Sequence, residues 1–185
     1  TSDGIPYVPV IGNHDVKGNG RVSFHDVFWQ DSPNNINKQL MWERFGNLLD
    51  NDGDDSLLNY GFTCGGIRFI ILDNCHDSFT AVYPEATMTC FHDELVRADQ
   101  YGDVKGTIVL SHIPPVAPGS LSYLPDTATY MQEWGGYTDS TDFASIKTEL
   151  SYSTKRVLGW FSGHIHGYDG WPVVGEVAAK LRQEY

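Results

Sequence analysis

Histidine and asparagine residues follow three short apolar segments of the sequence, and their side chains are suited to metal binding. The segments and the residues after them are 7–11 before Gly12-Asn13-His14-Asp15, 106–111 before His112, and 156–162 before Gly163-His164-Ile165-His166. Neutral imidazole binds Zn, Fe or Mn, and an asparagine oxygen suits a hard cation. The pattern therefore indicates a metal centre assembled from three distant parts of the chain.

His14 and Asp15 suggest a second kind of chemistry. A carboxylate beside an imidazole selects one ring tautomer and favours the protonated ring. A protonated His14 near a scissile P–O bond is able to donate its proton to the leaving oxygen, which typically contributes about 10²–10⁴-fold to a rate. The predicted role of His14 is therefore that of a general acid.

The three apolar segments have the length and composition of buried strands. In open α/β sheets, ligands bind beyond the carboxyl ends of the strands. If the strands run parallel, Asn13, His112 and His164 converge although they lie far apart in the sequence. Pro9 is an objection to a strand at 7–11, because proline cannot donate to a strand ladder.

The remaining segments alternate between strand and helix patterns, which predicts a single α/β domain over residues 1–185. Gly65-Gly66 predicts a two-residue hairpin between strands at 58–64 and 67–73. Helices are predicted at 37–49, 93–101, 142–150 and 175–185. Irregular or loop structure is predicted at 17–36, 51–56, 74–90 and 113–138.

Composition excludes several other classes of protein. A formal net charge of -12 disfavours nucleic-acid binding, because the phosphate backbone is repelled. No apolar run is long enough to span a membrane. The three cysteines contain no CxxC pair, so they indicate neither a structural zinc site nor a disulfide framework; one bridge and free thiols both stay open. Few lysines and many Tyr, Trp and Asn residues slightly favour a secreted parent protein, and oligomeric state is left open.

Other polar residues are interpreted as structural. His25, His76 and His92 are expected to be surface or core residues without a function. For Asp73-Asn74 and His76-Asp77, a place near the site is the alternative, and a solvated loop is the preferred interpretation.

The motifs resemble those of the calcineurin-like metallophosphoesterases. GNHD, a histidine that closes a strand before Ile-Pro-Pro, and GHIH occur in the family's order, and the resemblance covers most of residues 5–169. It implies a four-layer α/β/β/α sandwich of mixed sheets. It also implies a hydrolase in which a hydroxide bridging two metal ions, Fe, Zn or Mn, attacks the phosphorus of a small phosphate ester. The resemblance implies that Asn13, His112 and His164 bind one metal ion and that His166 binds the other. It implies a catalytic role for His14 and makes Asp15 the residue that orients His14.

The sequence departs from the family pattern before GNHD. The family's Asp-x-His and Gly-Asp motifs supply further ligands there, but twelve residues precede Asn13 and contain neither motif. We therefore expect an N-terminally incomplete domain, with two metal ions in the complete enzyme and one or none in this chain. The alternative is a non-catalytic remnant or binding module of the same fold.

Overall fold

A computed structural model of the protein describes residues 6–30, 36–45, 50–51, 57–75, 81–115, 140–152 and 157–164. Its helices are α1 (Gly20–Phe28), α2 (Asn37–Phe45), α3 (Glu85–Gln100) and α4 (Ser140–Tyr152). Its strands are β1 (Asp50–Asn51), β2 (Tyr60–Cys64), β3 (Ile67–Leu72), β4 (Gly106–Ser111) and β5 (Val157–Ser162). Among these residues, no helix is both long and apolar enough to cross a membrane.

The five strands form one mixed sheet in the order β1-β2-β3-β4-β5. Strands β1, β2 and β3 pair antiparallel, whereas β3, β4 and β5 pair parallel. The α/β class with a mixed sheet is thus confirmed. The parallel half matters most for function, because the carboxyl ends of β3, β4 and β5 all lie at one edge of the sheet.

The β2–β3 hairpin forms as the glycine pair predicts. Cys64 pairs with Ile67, and both intervening glycines have positive φ, +60° at Gly65 and +79° at Gly66. Two consecutive residues of positive φ are what a type I′ turn requires, and glycine adopts that conformation without steric cost. The turn therefore determines the register of the antiparallel half of the sheet.

Helices cover both faces of the sheet. One face buries the side chains Ile70, Leu72, Val109 and Trp160 against Phe91 and Leu95 of α3 and Ile146 of α4. The opposite face buries Tyr60, Phe62 and Ile71 against Met41 of α2 and against Trp29. Apolar burial of this kind, at about 25 cal/mol per Å², provides most of the stabilisation of a sheet covered on two sides.

Two helix predictions need correction. The loop predicted at 17–36 contains α1, where Phe24 and Phe28 lie one helical turn apart with ring centroids 4.8 Å from each other. The predicted irregular segment 74–90 contains the start of α3, which begins at Glu85 rather than at Asp93. The buried face of α3 includes Thr87 and Cys90, so a search for apolar periodicity alone places the helix start too late.

The strand predicted at 7–11 is wrong, because no strand pairing occurs there. Side chains hold this segment instead of a neighbouring strand. The Asn37 amide accepts a hydrogen bond from Tyr7 N at 2.7 Å and donates one to Tyr7 O at 3.3 Å. The Pro9 carbonyl accepts a hydrogen bond from the Tyr60 hydroxyl at 2.8 Å. Pro9 itself has no N–H to give to a ladder.

The other predicted elements agree with the structure where it describes them. The strands predicted at 106–111 and 156–162 are β4 and β5, and the helices predicted at 37–49 and 142–150 are α2 and α4. The predicted helix at 175–185 lies outside the described residues. The same holds for parts of other predicted segments, namely 31–35, 46–49, 52–56, 116–139 and 153–156.

Candidate metal centre

The parallel pair β4–β5 brings two histidines to the same edge of the sheet. Ser111 and Ser162, the last residues of the two strands, are partners in the ladder. His112 follows β4 directly, and His164 follows β5 after one glycine. Gly163 N donates a hydrogen bond to His112 O at 3.0 Å, so the two loops stay attached beyond the ends of the strands.

Asn13 reaches this edge on a tight turn. Asp15 N donates to Gly12 O at 2.9 Å, and the Asp15 carboxylate accepts from Gly12 N at 2.9 Å. A Cβ atom at position 12 would lie 3.2 Å from Asp15 Oδ2, tighter than most side-chain contacts, and 3.4 Å from the His112 ring, an ordinary contact distance. Glycine at position 12 therefore lets the turn close on the Asp15 carboxylate while its backbone lies beside the His112 ring.

Three potential ligand atoms meet at this point. His112 Nε2 lies 2.9 Å from Asn13 Oδ1 and 3.2 Å from His164 Nδ1. The two imidazole rings are nearly perpendicular, at 77°, with centroids 5.1 Å apart. Asn13 and His164 are buried, and His112 is partly exposed. The structure thus brings together three of the four predicted ligands, while His166 lies outside the described residues.

The spacing of these atoms is compatible with a shared cation. An imidazole nitrogen carries either one proton or one lone pair, so His112 Nε2 cannot direct a good hydrogen bond at both neighbours. Two ligand atoms that bind one ion at about 2.1 Å, at right or tetrahedral angles, lie about 3.0–3.4 Å apart. The 3.2 Å separation falls within this range, and the 2.9 Å separation lies just below it, at a distance that also suits a hydrogen bond. The donor set therefore fits a metal ion.

His164 has a backbone conformation that is unusual for a residue with a side chain. Its φ is +66°, in the left-handed region, which is uncommon outside glycine and typically costs about 1–3 kcal/mol. Such strain persists only where the surrounding structure imposes it, and it concentrates at functional sites. Here the conformation accompanies the approach of the His164 ring to His112.

His14 and Asp15 lie on the exposed side of the same turn. The hydrogen bond of the Asp15 carboxylate goes to the backbone of Gly12, and no ion pair joins it to His14 among the described residues. Asp15 therefore shapes the turn that carries His14. The roles of His14 as a general acid and of Asp15 as its orienting partner stay predictions.

A comparison with known protein families decides what kind of domain this is. The sequence matches the calcineurin-like phosphoesterase family over residues 2–168. The chain belongs to this family. No curated protein matches the chain. The match confirms the resemblance seen in the motifs, and the family consists of phosphoesterases that generally depend on two metal ions.

The described part of this calcineurin-like phosphoesterase contains no cluster of three or more His, Cys, Asp or Glu side chains placed to hold a metal ion. The candidate centre instead consists of two histidines and an asparagine, with Asn13 supplying one of its three potential ligand atoms. None of the three cysteines, all of which lie among the described residues, forms a disulfide; Cys64 is exposed, and Cys75 and Cys90 are buried.

Residues 73–75 follow β3 at this sheet edge and are called the 73–75 segment. The sequence places Asp73 and Asn74 either near the site or, preferably, in a solvated loop. The preferred interpretation is wrong, because Asp73 is buried and Asn74 is fully buried. A usable signal was their position, directly after a strand that ends at the same sheet edge.

The histidines interpreted as structural lie away from the centre where the structure describes them. On α1, His25 Nδ1 lies 3.7 Å from Asp26 Oδ1. His92 Nδ1 of α3 lies 2.7 Å from Glu149 Oε2 of α4. His76 and Asp77 lie outside the described residues.

Proposed function

We propose that this calcineurin-like phosphoesterase hydrolyses small phosphate esters at a metal centre built on Asn13, His112 and His164. The observation that carries the proposal is the convergence of Asn13 Oδ1, His112 Nε2 and His164 Nδ1, with 2.9 Å and 3.2 Å between neighbouring atoms. These atoms come from three loops at one sheet edge. Their types are those that bind Zn, Fe or Mn ions.

Each ligand residue has a defined task in this proposal. Asn13, His112 and His164 hold one ion, and His166 holds a second. Bound ions of this kind neutralise the charge of a phosphate group and supply a water nucleophile at neutral pH. The left-handed backbone of His164 and the tight turn at Gly12 accompany the short distances between the ligand atoms.

His14 supplies the proton for the leaving group. It follows Asn13 directly and its side chain is exposed, so it is accessible to a substrate bound over the metal centre. A protonated His14 ring donates to the oxygen of the breaking P–O bond, which leaves as an alcohol. Asp15 positions His14 by closing the turn through its bonds to Gly12.

Replacement of His14 tests this assignment. His14→Ala is expected to lower kcat about 10²–10⁴-fold, because the leaving oxygen loses its proton donor. Metal content per chain is expected to stay at the wild-type value, since His14 is not a ligand. Hydrolysis of p-nitrophenyl phosphate and mass spectrometry of bound metal measure the two quantities. His25→Ala is the matched control and should change neither. An equal loss of metal and of kcat would overturn the general-acid role.

Metal content also separates the enzyme from the alternative of a non-catalytic module with the same fold. About two ions per chain after incubation with Mn or Zn and desalting would support the dinuclear enzyme. Binding that is absent in wild type, or that persists in a variant with both His112→Ala and His164→Ala, would contradict the proposed centre.

A further inference from the structure

The 73–75 segment contacts both of the loops that carry Asn13 and His112. The Asp73 carboxylate accepts a hydrogen bond at 2.9 Å from Arg21, on the helix that follows Asn13. The Cys75 thiol contacts Ile11 O at 3.5 Å, two residues before Asn13. The segment thus holds the Asn13 turn from both sides.

Asn74 holds the loop of His112. Its Nδ2 donates to Ile113 O at 2.7 Å, and its Oδ1 accepts from Ile113 N at 3.2 Å. The last β3–β4 ladder partners are Leu72 and Ser111, so Ile113 lies two positions beyond the ladder. The Asn74 side-chain amide binds both backbone groups that a longer β3 strand would have bound. It extends the pairing of β4 past His112.

The Ile113 carbonyl accepts a second hydrogen bond, which further restrains the backbone next to His112. Ser111 Oγ donates to Ile113 O at 3.0 Å and accepts from Trp160 Nε1 of β5 at 2.8 Å. Residues on both sides of His112 are therefore fixed by buried hydrogen bonds. Asn74 is fully buried, and its Nδ2 also donates to the Tyr83 hydroxyl at 2.9 Å, which determines the orientation of the amide.

We infer that Asn74 is a positioning residue for His112 and, through it, for the candidate metal centre. The link to the metal rests on the proposed function, whereas the restraint on the His112 ring does not. Substitution of residues that orient a metal ligand typically lowers metal affinity about 10–100-fold. Asn74 touches neither substrate nor ion, and its effect passes through the backbone of Ile113.

The test reads the His112 ring directly in the metal-free protein. Imidazole ¹⁵N and ¹H signals are recorded by NMR, and His112→Ala identifies the signals of His112. Asn74→Ala is expected to shift these ring signals and to lower Co²⁺ affinity about 10–100-fold. Asn37→Ala is the matched control, because Asn37 binds N and O of Tyr7 in the same way and is also buried. The control should leave the His112 ring signals in place.

Each outcome decides one question. Ring signals of His112 that coincide in Asn74→Ala and wild type would overturn the positioning role. Should Asn74→Ala fail to fold, Asn74→Ser is the second variant: it keeps a polar side chain but is too short to make both bonds to Ile113, and shifted or unshifted His112 signals then decide the same point. Wild-type protein that binds no Co²⁺ would contradict the proposed function, while the ring signals would still decide whether Asn74 positions His112.

Discussion

Cys75 illustrates how burial near the candidate metal centre changes the chemistry of one side chain. Burial is the main cause that raises the pKa of this thiol far above its ordinary value, and the negative charges of Asp73 and Asp15 add to the effect, opposed by Arg21. The thiol therefore stays protonated at neutral pH and is a poor nucleophile. Its part in the site is structural, through its contact with Ile11 O.

The raised pKa of Cys75 predicts a loss of stability at alkaline pH. Below the ordinary thiol pKa of about 8.5, folded and unfolded chains both keep the proton, so the full stability is present. As pH rises further, the unfolded chain releases its proton first. Unfolding then becomes easier by up to about 1.4 kcal/mol per pH unit until the folded thiol also ionises.

Thermal unfolding between about pH 8 and pH 10.5 measures this effect. The fall in Tm is expected to be smaller in Cys75→Ala than in wild type, because the titrating group is gone. Cys64→Ala, at an exposed thiol, should show the same fall of Tm with pH as wild type. An equal fall of Tm with pH in wild type and in Cys75→Ala would contradict the raised pKa of Cys75. Burial also raises the pKa of Tyr60, which adds a similar loss at still higher pH in all three proteins.

At the scale of elements, a buried ionic network joins α3 to the antiparallel half of the sheet. Arg68 Nε of β3 donates to Glu94 Oε2 at 2.7 Å, and Arg97 Nη1 donates to Glu94 Oε1 at 2.8 Å. Arg68 and Glu94 are almost inaccessible, at 0% and 1% exposure. A Cβ atom on Gly61 would lie 1.7 Å from Glu94 Oε2, so glycine in β2 makes room for the carboxylate. The network lies near the start of β3, away from the candidate centre at its end.

Replacement of Glu94 is therefore expected to change stability and not chemistry. Glu94→Leu leaves the Arg68 charge buried without its carboxylate, which should cost about 3–5 kcal/mol in the free energy of unfolding. The double variant Arg68→Met with Glu94→Leu should lose much less, because both charges are removed together. Urea denaturation measures these free energies. Glu43→Ala, on the surface of α2, is the control and should change stability by less than about 0.5 kcal/mol.

The rate of hydrolysis tests whether the Arg68–Glu94 network affects the candidate metal centre. The rate of hydrolysis per folded molecule is expected to be the same in the double variant and in wild type. A large loss of rate with unchanged stability would show that α3 contributes to the metal centre in a way that the contacts of Glu94 do not explain.

At the scale of the whole molecule, the proposed metal centre links three parts of the chain that lie far apart in the sequence. Asn13 precedes α1, His112 follows β4 and His164 follows β5. Their convergence exists only in the folded chain. An ion that binds there binds the folded state alone and stabilises it by mass action.

Metal addition is accordingly expected to raise Tm. An ion at about 100 times its Kd contributes about 2.7 kcal/mol, which corresponds to roughly 5–10 °C for a domain of this size. Differential scanning fluorimetry with Zn²⁺ or Mn²⁺, followed by a chelator, measures the gain and its reversal. His112→Ala should abolish the gain, while His92→Ala, at a surface contact with Glu149, should retain it. A gain of equal size in His112→Ala would place the ion elsewhere.

The sequence by itself determined the features that depend on neighbouring residues. Apolar runs of strand length predicted β4 and β5, and Gly65-Gly66 predicted the hairpin, because the conformation of a two-residue turn is a local property. Placement after parallel strands predicted that His112 and His164 would meet, as the structure shows, whereas Asn13 joins them on a turn although residues 7–11 form no strand. Their function as metal ligands stays a prediction.

Only the tertiary structure decided how polar residues are used. Asn74 looked like part of a solvated loop, yet it is fully buried because the backbone of Ile113, far along the chain, provides its hydrogen-bond partners. The segment at 7–11 looked like a strand, yet the Asn37 side chain occupies the backbone groups of Tyr7. Hydrophobic periodicity predicts where apolar side chains are buried. A buried polar group is stable only beside a partner, and that partner is known only when the chain has folded.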